Sequence, residues 1–290
     1  MPRIRARRGV IVLNRSAGGD VIINIIIALV AIFIALPFYY SIIQSIKPLN
    51  ELFMYPPRFY VVQPTFRNFV DLFNLLGTSW VPFSRYIFNT VFITVVGTFG
   101  AVVFASMAAY ALSKIDFPGR KWIFIVMQYS LMFNAVVAGI ANFLTISAFH
   151  WMDTYWAILV PAFVSVLGMY LMRQYIDAFI PDAILEAARI DGASELSVFF
   201  RIAMPMVKPA WLTAIIFSFQ GFWAMGSTVF IQSEQLKTLA YAMSQIIAGG
   251  VVRQGAGAAS TVVMMIVPLI VFIFSQSSII ETMTTSGMKD

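Results

Sequence analysis

The sequence predicts an all-α fold, namely a polytopic membrane protein with six transmembrane helices and one polar helical loop. Of its 290 residues, 60% are hydrophobic and 11% are charged, whereas soluble globular domains usually carry about 25% charged residues. Six long segments contain no Asp, Glu, Lys or Arg. Between the fourth and the fifth of these segments lies a polar stretch with strong helix signals.

Each charge-free segment is long enough, or nearly so, to cross the hydrocarbon core, which takes about 20 helical residues. One central charge would cost about 2.5–3.5 kcal/mol on insertion scales, so a charge-free run of this length indicates a span. Continuous apolar runs favour helices, because barrel strands alternate over about 10 residues. The predicted spans are residues 21–46, 86–113, 122–146, 154–172, 209–233 and 258–280.

The cationic residues predict the orientation. Of the 19 Lys and Arg residues, 13 fall in the two tails and in the loops after spans two and four, and 6 fall on the other side. Because cytoplasmic loops carry an excess of Lys and Arg, both termini are expected on the cytoplasmic side of the membrane. We expect a tail at 1–20, one six-helix domain at 21–281 and a tail at 282–290. The first span is expected to be retained, because it exceeds the signal-peptide apolar region of about 7–15 residues.

The composition also excludes several kinds of chemistry. Cysteine is absent and His150 is the single histidine, so Cys-based redox sites and multi-His metal sites are excluded. The sequence contains no Gly-x-x-x-x-Gly-Lys-Ser/Thr loop, so we expect no ATP binding by this chain and no enzymatic activity of its own. The net charge of +6 follows from the membrane orientation, and no nucleic-acid partner is expected.

The loop after the fourth span, residues 177–208, is too polar to cross a membrane and carries signals for two short helices. Pro181 suits a first helical turn, and Asp182 adds a negative charge near that N-terminus. Gly192 suits a left-handed cap that ends the first helix, and Ser194 suits a cap that begins the second. Prolines before span five should then stop or bend the chain.

Both short helices carry an apolar stripe at helical spacing. The stripes are Ile184, Leu185 and Ala188 in the first helix, and Leu196, Phe199, Phe200 and Ala203 in the second. Such stripes suit an amphipathic hairpin that rests on lipid. They equally suit a docking surface for a soluble partner, and the pattern alone leaves both interpretations open.

Three short motifs in this loop resemble a known signature. Glu186-Ala187-Ala188, Asp191-Gly192-Ala193 and Ile202-Ala203-Met204-Pro205 resemble the EAA motif of inner-membrane permeases of binding-protein-dependent ABC importers. The family usually has Leu where Met204 stands, and this swap conserves volume.

The resemblance extends over about residues 20–290. Residues 111–120 are similar to the loop after span two in carbohydrate-type members, and the tail 286–290 resembles their Gly-x-Lys-Gly ending, with Asp290 in place of the last Gly. As a whole, the chain resembles the second permease of maltose-type importers.

This resemblance implies a mechanism and a set of partners. The loop would be a coupling helix inserted in a cleft of an ATPase subunit, with Glu186 as an acceptor there and Gly192 allowing the sharp turn. The partners implied are a second homologous permease, two ATPase subunits that hold ATP and Mg²⁺, an extracytoplasmic substrate-binding protein and the bilayer. The cargo implied is a sugar, specifically a neutral or acidic oligosaccharide. The implied coupling residues are Glu186, Ala187, Ala188, Asp191, Gly192, Ala193, Ser194, Ile202 and Pro205.

Amide side chains and one indole at membrane depth are candidates for the substrate path, because they could bind sugar hydroxyls or stack on a sugar ring. They could equally bond neighbouring helices. The candidates are Asn89, Gln128, Asn134, Asn142, Gln220 and Trp223. Separately, small residues at four-residue steps in span two predict close helix packing, without deciding whether the neighbour is in the same chain. They are Gly97, Ala101, Ala105 and Ala109.

Two other classes compete with the importer interpretation. A secondary transporter would normally place an ionisable residue at membrane depth for ion coupling, and all six predicted spans lack one. A non-transporting membrane scaffold would need no partner for its hairpin. Replacement of Gly192 by a bulky residue separates these classes, because only a coupling hairpin should then lose uptake.

Overall fold

The computed structural model describes residues 17–132, 135–226 and 228–286. Within these ranges the chain consists of helices and connecting segments without a β-strand, which confirms the all-α prediction. A π-helical turn, Phe199–Ala203, lies between α10 and α11, and single 3₁₀ turns cover Glu234–Leu236 and Val251–Arg253. The helices are α1 (Ala17–Ser45), α2 (Leu49–Leu52), α3 (Arg67–Gly77), α4 (Phe83–Lys114), α5 (Arg120–Ser130), α6 (Ala135–Ala148), α7 (Trp156–Phe163), α8 (Val166–Phe179), α9 (Asp182–Ile190), α10 (Glu195–Val198), α11 (Met204–Met206), α12 (Lys208–Trp223), α13 (Leu239–Ala248) and α14 (Gln254–Ser286).

Helix α4 is the central element of the bundle. Its 32 residues give it a length of about 48 Å at 1.5 Å per residue, and it packs against α7, α8 and α12. Buried clusters surround it at three levels: Tyr86 at its start, Ile93 and Ala101 in its middle, and Tyr110 near its end. We call the level of Tyr110 the hairpin end and the level of Tyr86 the opposite end.

The small residues of α4 pack against helices of the same chain. A Cβ added at Gly97 would lie 2.9 Å from the ring of Phe222 in α12, and one added at Gly100 would lie 2.2 Å from the ring of Phe163 in α7. The sequence did not decide whether the small residues of α4 pack against the same chain or a second one. The structure shows that Gly97 and Gly100 pack against helices of the same chain.

The predicted spans agree with the structure to different degrees. Within the described residues, four helical segments are long and apolar enough to cross a bilayer: Gly18–Ser45, Phe83–Lys114, Trp156–Phe179 and Val251–Gln276. A fifth is added if Glu195–Met206 and Lys208–Trp223, which meet at 85°, count as one span. The count of six remains a prediction.

Two predicted spans are not single helices over their predicted bounds. The third predicted span, 122–146, is not one helix, because α5 ends at Ser130 and α6 begins at Ala135. The fifth, 209–233, is too long, because α12 ends at Trp223. The chain then leaves the helix and runs through irregular segments toward α13, which the sequence did not predict.

The segment between the first two predicted spans is partly helical. Its longest helix, α3, is 11 residues long and buries Leu72 and Leu76 against α13 and α14 at the opposite end. Asn68 is buried there, where its amide donates to the carbonyls of Ser45 and Lys47 at 2.9 and 2.7 Å. The segment is therefore a folded part of the bundle.

Candidate functional site

The polar loop forms a compact hairpin, residues 182–206, between α8 and α12. Helix α9 begins after Pro181 with Asp182 in its first turn, as predicted. The Oγ of Ser194 accepts a hydrogen bond from the Ser197 amide at 3.4 Å and so caps α10, also as predicted. After Val207 the chain turns by 85° into α12.

The turn between α9 and α10 depends on a left-handed glycine. Gly192 has φ +82° and donates to the carbonyl of Arg189 at 3.0 Å, while Ala193 donates to the carbonyl of Ala188 at 3.0 Å. This pair of bonds is the Schellman arrangement, which satisfies the last carbonyls of a helix. The predicted left-handed cap is confirmed, but a Cβ at Gly192 would meet no heavy atom within 4 Å. The requirement for glycine is therefore conformational and not steric within this chain.

One face of the hairpin is buried against the bundle. Leu185, Val198 and Phe199 are at most 3% exposed, and the ring of Phe199 meets that of Tyr110 edge-on with centroids 5.4 Å apart. Met172 of α8 belongs to the same cluster. This packing fixes the hairpin to α4, α8 and α12.

The predicted second stripe was partly wrong. Phe199 and Ala203 are buried as expected, but Leu196 and Phe200 are 61% and 54% exposed, and Val198 takes their place. A π-helical turn occupies Phe199–Ala203, within the stretch for which the pattern assumed α-helical spacing.

A carboxylate at the start of α10 connects three elements at the hairpin end. Glu195 accepts from Arg189 at 2.6 and 3.3 Å and from the hydroxyl of Tyr110 at 3.2 Å. These partners lie on α9 and α4. The hydrogen bond from Arg189 holds the pKa of Glu195 below its ordinary value, and Glu195 raises the pKa of Arg189. The turn is thus locked with both groups charged.

Lys114 provides a second connection between α4 and the hairpin. Its side chain is 7% exposed, and its ammonium donates to the carbonyl of Ile180 at 2.8 Å and to Asp182 at 2.7 Å. Lys114 lowers the pKa of Asp182 from its ordinary value. Sequence reasoning did not assign this role to Lys114, and the partners are 68 residues apart, so only the resemblance of residues 111–120 pointed to the region.

The opposite face of the hairpin is exposed and apolar. Ile190 at the tip is 86% exposed and Ile184 is 42% exposed, and Ala187 and Glu186 are also exposed on α9. Within the described part of the chain, Glu186 forms no ion pair. A helical hairpin that is packed on one side and apolar on the other presents a surface suited to a partner.

The remaining predicted coupling residues occupy different environments. Ala188, Ala193 and Ile202 are half-buried against the cluster under the hairpin, so they position it. Asp191 and Pro205 are exposed.

The structure separates the substrate-path candidates into two groups. Gln128, Asn142 and Gln220 are exposed on the surface of the bundle, whereas Asn89 and Trp223 are buried. Asn134 lies outside the described residues. The exposed amides are free to meet a second subunit or a cargo, and they stay candidates.

Asn89, a predicted substrate-path residue, is buried and bonded within the chain. It is 0% exposed, and its amide nitrogen donates to the carbonyls of Gln235 and Lys237, both at 2.8 Å. Its oxygen accepts from the hydroxyl of Tyr155 at 2.7 Å. The amide is fully used in holding the segment after α12 against α4.

Trp223 is structural for the same reason. It is 8% exposed, and its indole N–H donates to the carbonyl of Met264 at 3.0 Å. The ring also stacks on Phe219 at 6.0 Å. In this structure the indole therefore joins α12 to α14 and presents no open face to a sugar.

The fold and the two-faced hairpin together define an all-helical membrane subunit. The chain belongs to the family of binding-protein-dependent transport system inner membrane components, whose model matches residues 101–284. The matched part includes the hairpin, α8, α12, the second half of α4, and α14 up to residue 284.

Relatives named for oligosaccharide or polysaccharide transport cover between 70% and 91% of the chain. The arabinooligosaccharides transport system permease protein AraQ of Halalkalibacterium halodurans is 28% identical over 268 residues, which are 91% of this chain and 93% of the relative. The galactooligosaccharides transport system permease protein GanQ of Bacillus subtilis is 25% identical over 277 residues, covering 91% and 94%. The polygalacturonan/rhamnogalacturonan transport system permease protein YtcP of Bacillus subtilis is 26% identical over 204 residues, covering 70% and 68%.

A solved structure has the same fold. It is a chain in the crystal structure of a bacterial ABC transporter involved in the import of the acidic polysaccharide alginate. The TM-score is 0.75 at 24% identity, with 91% of this chain and 98% of that chain covered.

Proposed function

We propose that this chain is the permease subunit of an ATP-driven importer and forms, with a second permease, the path for an oligosaccharide. An extracytoplasmic binding protein would deliver the cargo, and two ATPase subunits would bind ATP and Mg²⁺. Family membership supports a transport role that depends on a binding protein. The names of the relatives support a carbohydrate cargo.

The observation that carries this proposal is the exposed outer face of the hairpin. Ile190 is 86% exposed at the tip, although the turn below it is held by two backbone bonds and two ion pairs. A rigid apolar projection suits insertion into a cleft of a soluble partner, where buried apolar area stabilises the contact. Glu186 beside it offers a carboxylate to a cationic group of that partner.

The contacts of the hairpin explain how a movement would reach the membrane. Lys114 and Tyr110 tie it to α4, the buried Phe199 ties it to the cluster below, and Val207 continues it into α12. A displacement of the hairpin by the ATPase would therefore move α4, α8 and α12 together. Because α4 also packs along α7 and α12 over its length, that movement changes the path between the two permeases.

The exposed amides are the proposed lining of the path. Gln128 lies close to the end of α5, Asn142 lies on α6, and Gln220 lies on α12. Interrupted helices at membrane depth are tolerated where they line a cavity or are buried in protein, and the end of α5 at Ser130 is such an interruption. Amides can both donate to and accept from sugar hydroxyls, so this set suits a polyhydroxylated cargo of either charge.

The proposed orientation places the hairpin in the cytoplasm and the opposite end, with α3 and α13, outside a bacterial inner membrane. Both termini would then be cytoplasmic. The distribution of Lys and Arg supports this orientation. The outer segments would contact the binding protein.

Uptake of labelled oligosaccharides tests the proposal against ion-coupled transport. Labelled arabino-, galacto- and galacturono-oligosaccharides are tested in turn to find the one that wild-type cells take up. Cells that lack the chain should not take up that oligosaccharide, and the wild-type protein should restore its uptake. Ile190→Glu should fail to restore it, because the charge would be desolvated in the contact, whereas Ile190→Leu should succeed. Uptake that survives ATP depletion but stops when ion gradients are dissipated would overturn the proposal.

A further inference from the structure

A cationic cavity lies beside the first turn of α5. It has a volume of about 330 Å³ and is lined by Phe117, Gly119, Arg120, Lys121, Trp122, Phe124 and Arg173. We propose that this cavity binds the headgroup of an anionic phospholipid of the inner leaflet, and that the acyl chains of this lipid lie along α5.

The charges of the cavity favour an anion. Lys121 is exposed and, within the described residues, pairs with no carboxylate. Arg120 and Arg173 each meet one carboxylate, with nitrogen–oxygen distances of 2.7 and 3.6 Å. The cavity is lined by three cations, and two of them are paired with one carboxylate each, so one positive charge is left over. Basic cavities between helices on the cytoplasmic side are suited to anionic headgroups.

Arg173 is held at the wall of the cavity by a ring and a carboxylate. Its guanidinium carbon lies 3.5 Å from the ring centroid of Phe124, so the ring fixes the plane of the side chain. Its buried Nε lies 3.6 Å from Asp177 and forms no hydrogen bond. The guanidinium therefore adds a positive charge at a fixed position in the wall of the cavity.

The surface that continues from the cavity suits acyl chains. Trp122, Val126 and Tyr129 are 72%, 66% and 63% exposed, and their spacing of four and three residues places them on one face of α5. This apolar face begins at the cavity with Trp122, a residue that favours the membrane interface. A free phosphate would use the cations but not this face, so the combination favours a lipid.

The cavity is adjacent to the contacts that hold the hairpin. Arg120 donates to the carbonyl of Leu112 at 2.7 Å and also to the carbonyl of Ser113, at the end of α4 that presents Lys114 to Asp182. The hydroxyl of Ser113 donates to Asp177, which is also the ion-pair partner of Arg173. A lipid bound here would therefore stabilise the end of α4 against which the hairpin rests.

The count of lipids retained by the chain tests this inference and does not depend on transport. The full complex is purified from nanodiscs of phosphatidylcholine with increasing phosphatidylglycerol, and native mass spectrometry counts phosphatidylglycerol on the released chain. Wild type should retain one more phosphatidylglycerol than Lys121→Gln. The variant should need about fivefold more phosphatidylglycerol for half occupancy, as expected for one lysine near an anionic surface. Lys121→Arg should retain it as wild type does.

The controls identify the source of the anion and the site. Lys208→Gln removes one exposed cation from the first residue of α12, away from the cavity, and should retain the lipid. Glycerol 1-phosphate at millimolar concentration should not displace it. Equal retention by wild type and Lys121→Gln, or the same loss in Lys208→Gln, would overturn the inference. If glycerol 1-phosphate displaces the lipid, the site binds a soluble anion and the lipid proposal is wrong. If Lys121→Gln loses its ATPase subunits and Lys208→Gln does not, the cations form a protein contact and the proposal is wrong as well.

Discussion

Substitutions at Gly192 separate a conformational requirement from a steric one. The residue has φ +82°, and a non-glycine residue in this region costs about 1–2 kcal/mol. Asparagine tolerates the region best, alanine less well, and a β-branched residue worst. Because an added Cβ meets no heavy atom of this chain within 4 Å, the expected cost comes from the backbone alone.

The expected order of function is therefore glycine, then Gly192→Asn, Gly192→Ala and Gly192→Val. A penalty of about 2 kcal/mol for valine would lower the population of the native turn about thirtyfold, since 1.4 kcal/mol is a factor of ten. Cargo-stimulated ATP hydrolysis and uptake by the reconstituted complex should fall in that order. The amount of variant in the membrane, measured on the same samples, controls for insertion.

Side-chain size predicts a different order, because alanine is smaller than asparagine. If Gly192→Ala keeps more activity than Gly192→Asn, the requirement is space in the partner's cleft and the conformational argument is refuted. If all variants match wild type, the turn has no role in coupling.

Three further predictions concern pH and the buried and exposed amides. The pKa values of Asp182 and Glu195 are depressed by Lys114 and Arg189, so the stabilisation from these contacts is complete above about pH 5 and is lost as pH falls through the lowered pKa values. A spin label at position 187 should accordingly stay immobile from pH 5 to 9 and gain mobility below about pH 4, and mobility that rises near pH 7 would contradict this. Asn89→Ala should lower the stability of the chain by about 3 kcal/mol for three lost hydrogen bonds, seen as a lower melting temperature of the complex with an unchanged apparent KM for cargo. Gln220→Ala should show the reverse, a changed KM at an unchanged melting temperature.

Local features of the hairpin were predictable because they depend on neighbouring residues. A proline and an acid mark the start of α9, a glycine its end and a serine the start of α10, and each signal acts within one helical turn. The buried stripe was less predictable, because the π-helical turn at Phe199–Ala203 changes the spacing that the pattern assumes.

Contacts between distant parts of the chain were not predictable from pattern. Asn89 carries the same amide as Gln220, but its partners lie 146 and 148 residues away. Composition places both at membrane depth, and only the fold decides which one is used internally. The ion pair between Lys114 and Asp182 likewise joins residues that are distant in the sequence, so only the fold reveals it.

The predicted span boundaries differ from the helix boundaries where an apolar segment is not helical throughout. Residues 122–146 carry no charge, yet the helix ends at Ser130, because apolar composition does not report a break in hydrogen bonding. The segment after Trp223 is also free of charge up to Ser233, yet α12 ends at Trp223.

The central claim is that the exposed face of the hairpin inserts into an ATPase subunit, and site-directed crosslinking tests it most directly. The chain contains no cysteine, so Ala187→Cys gives one reactive thiol on the exposed face, and Ala248→Cys gives a matched exposed thiol on α13 at the opposite end. With a short maleimide–benzophenone reagent, which bonds to the thiol and on illumination inserts into a C–H bond of a neighbouring chain, the purified complex should yield a permease–ATPase product from position 187 and none from position 248. Absence of that product from position 187 and from Ile190→Cys in an intact, active complex would contradict the account.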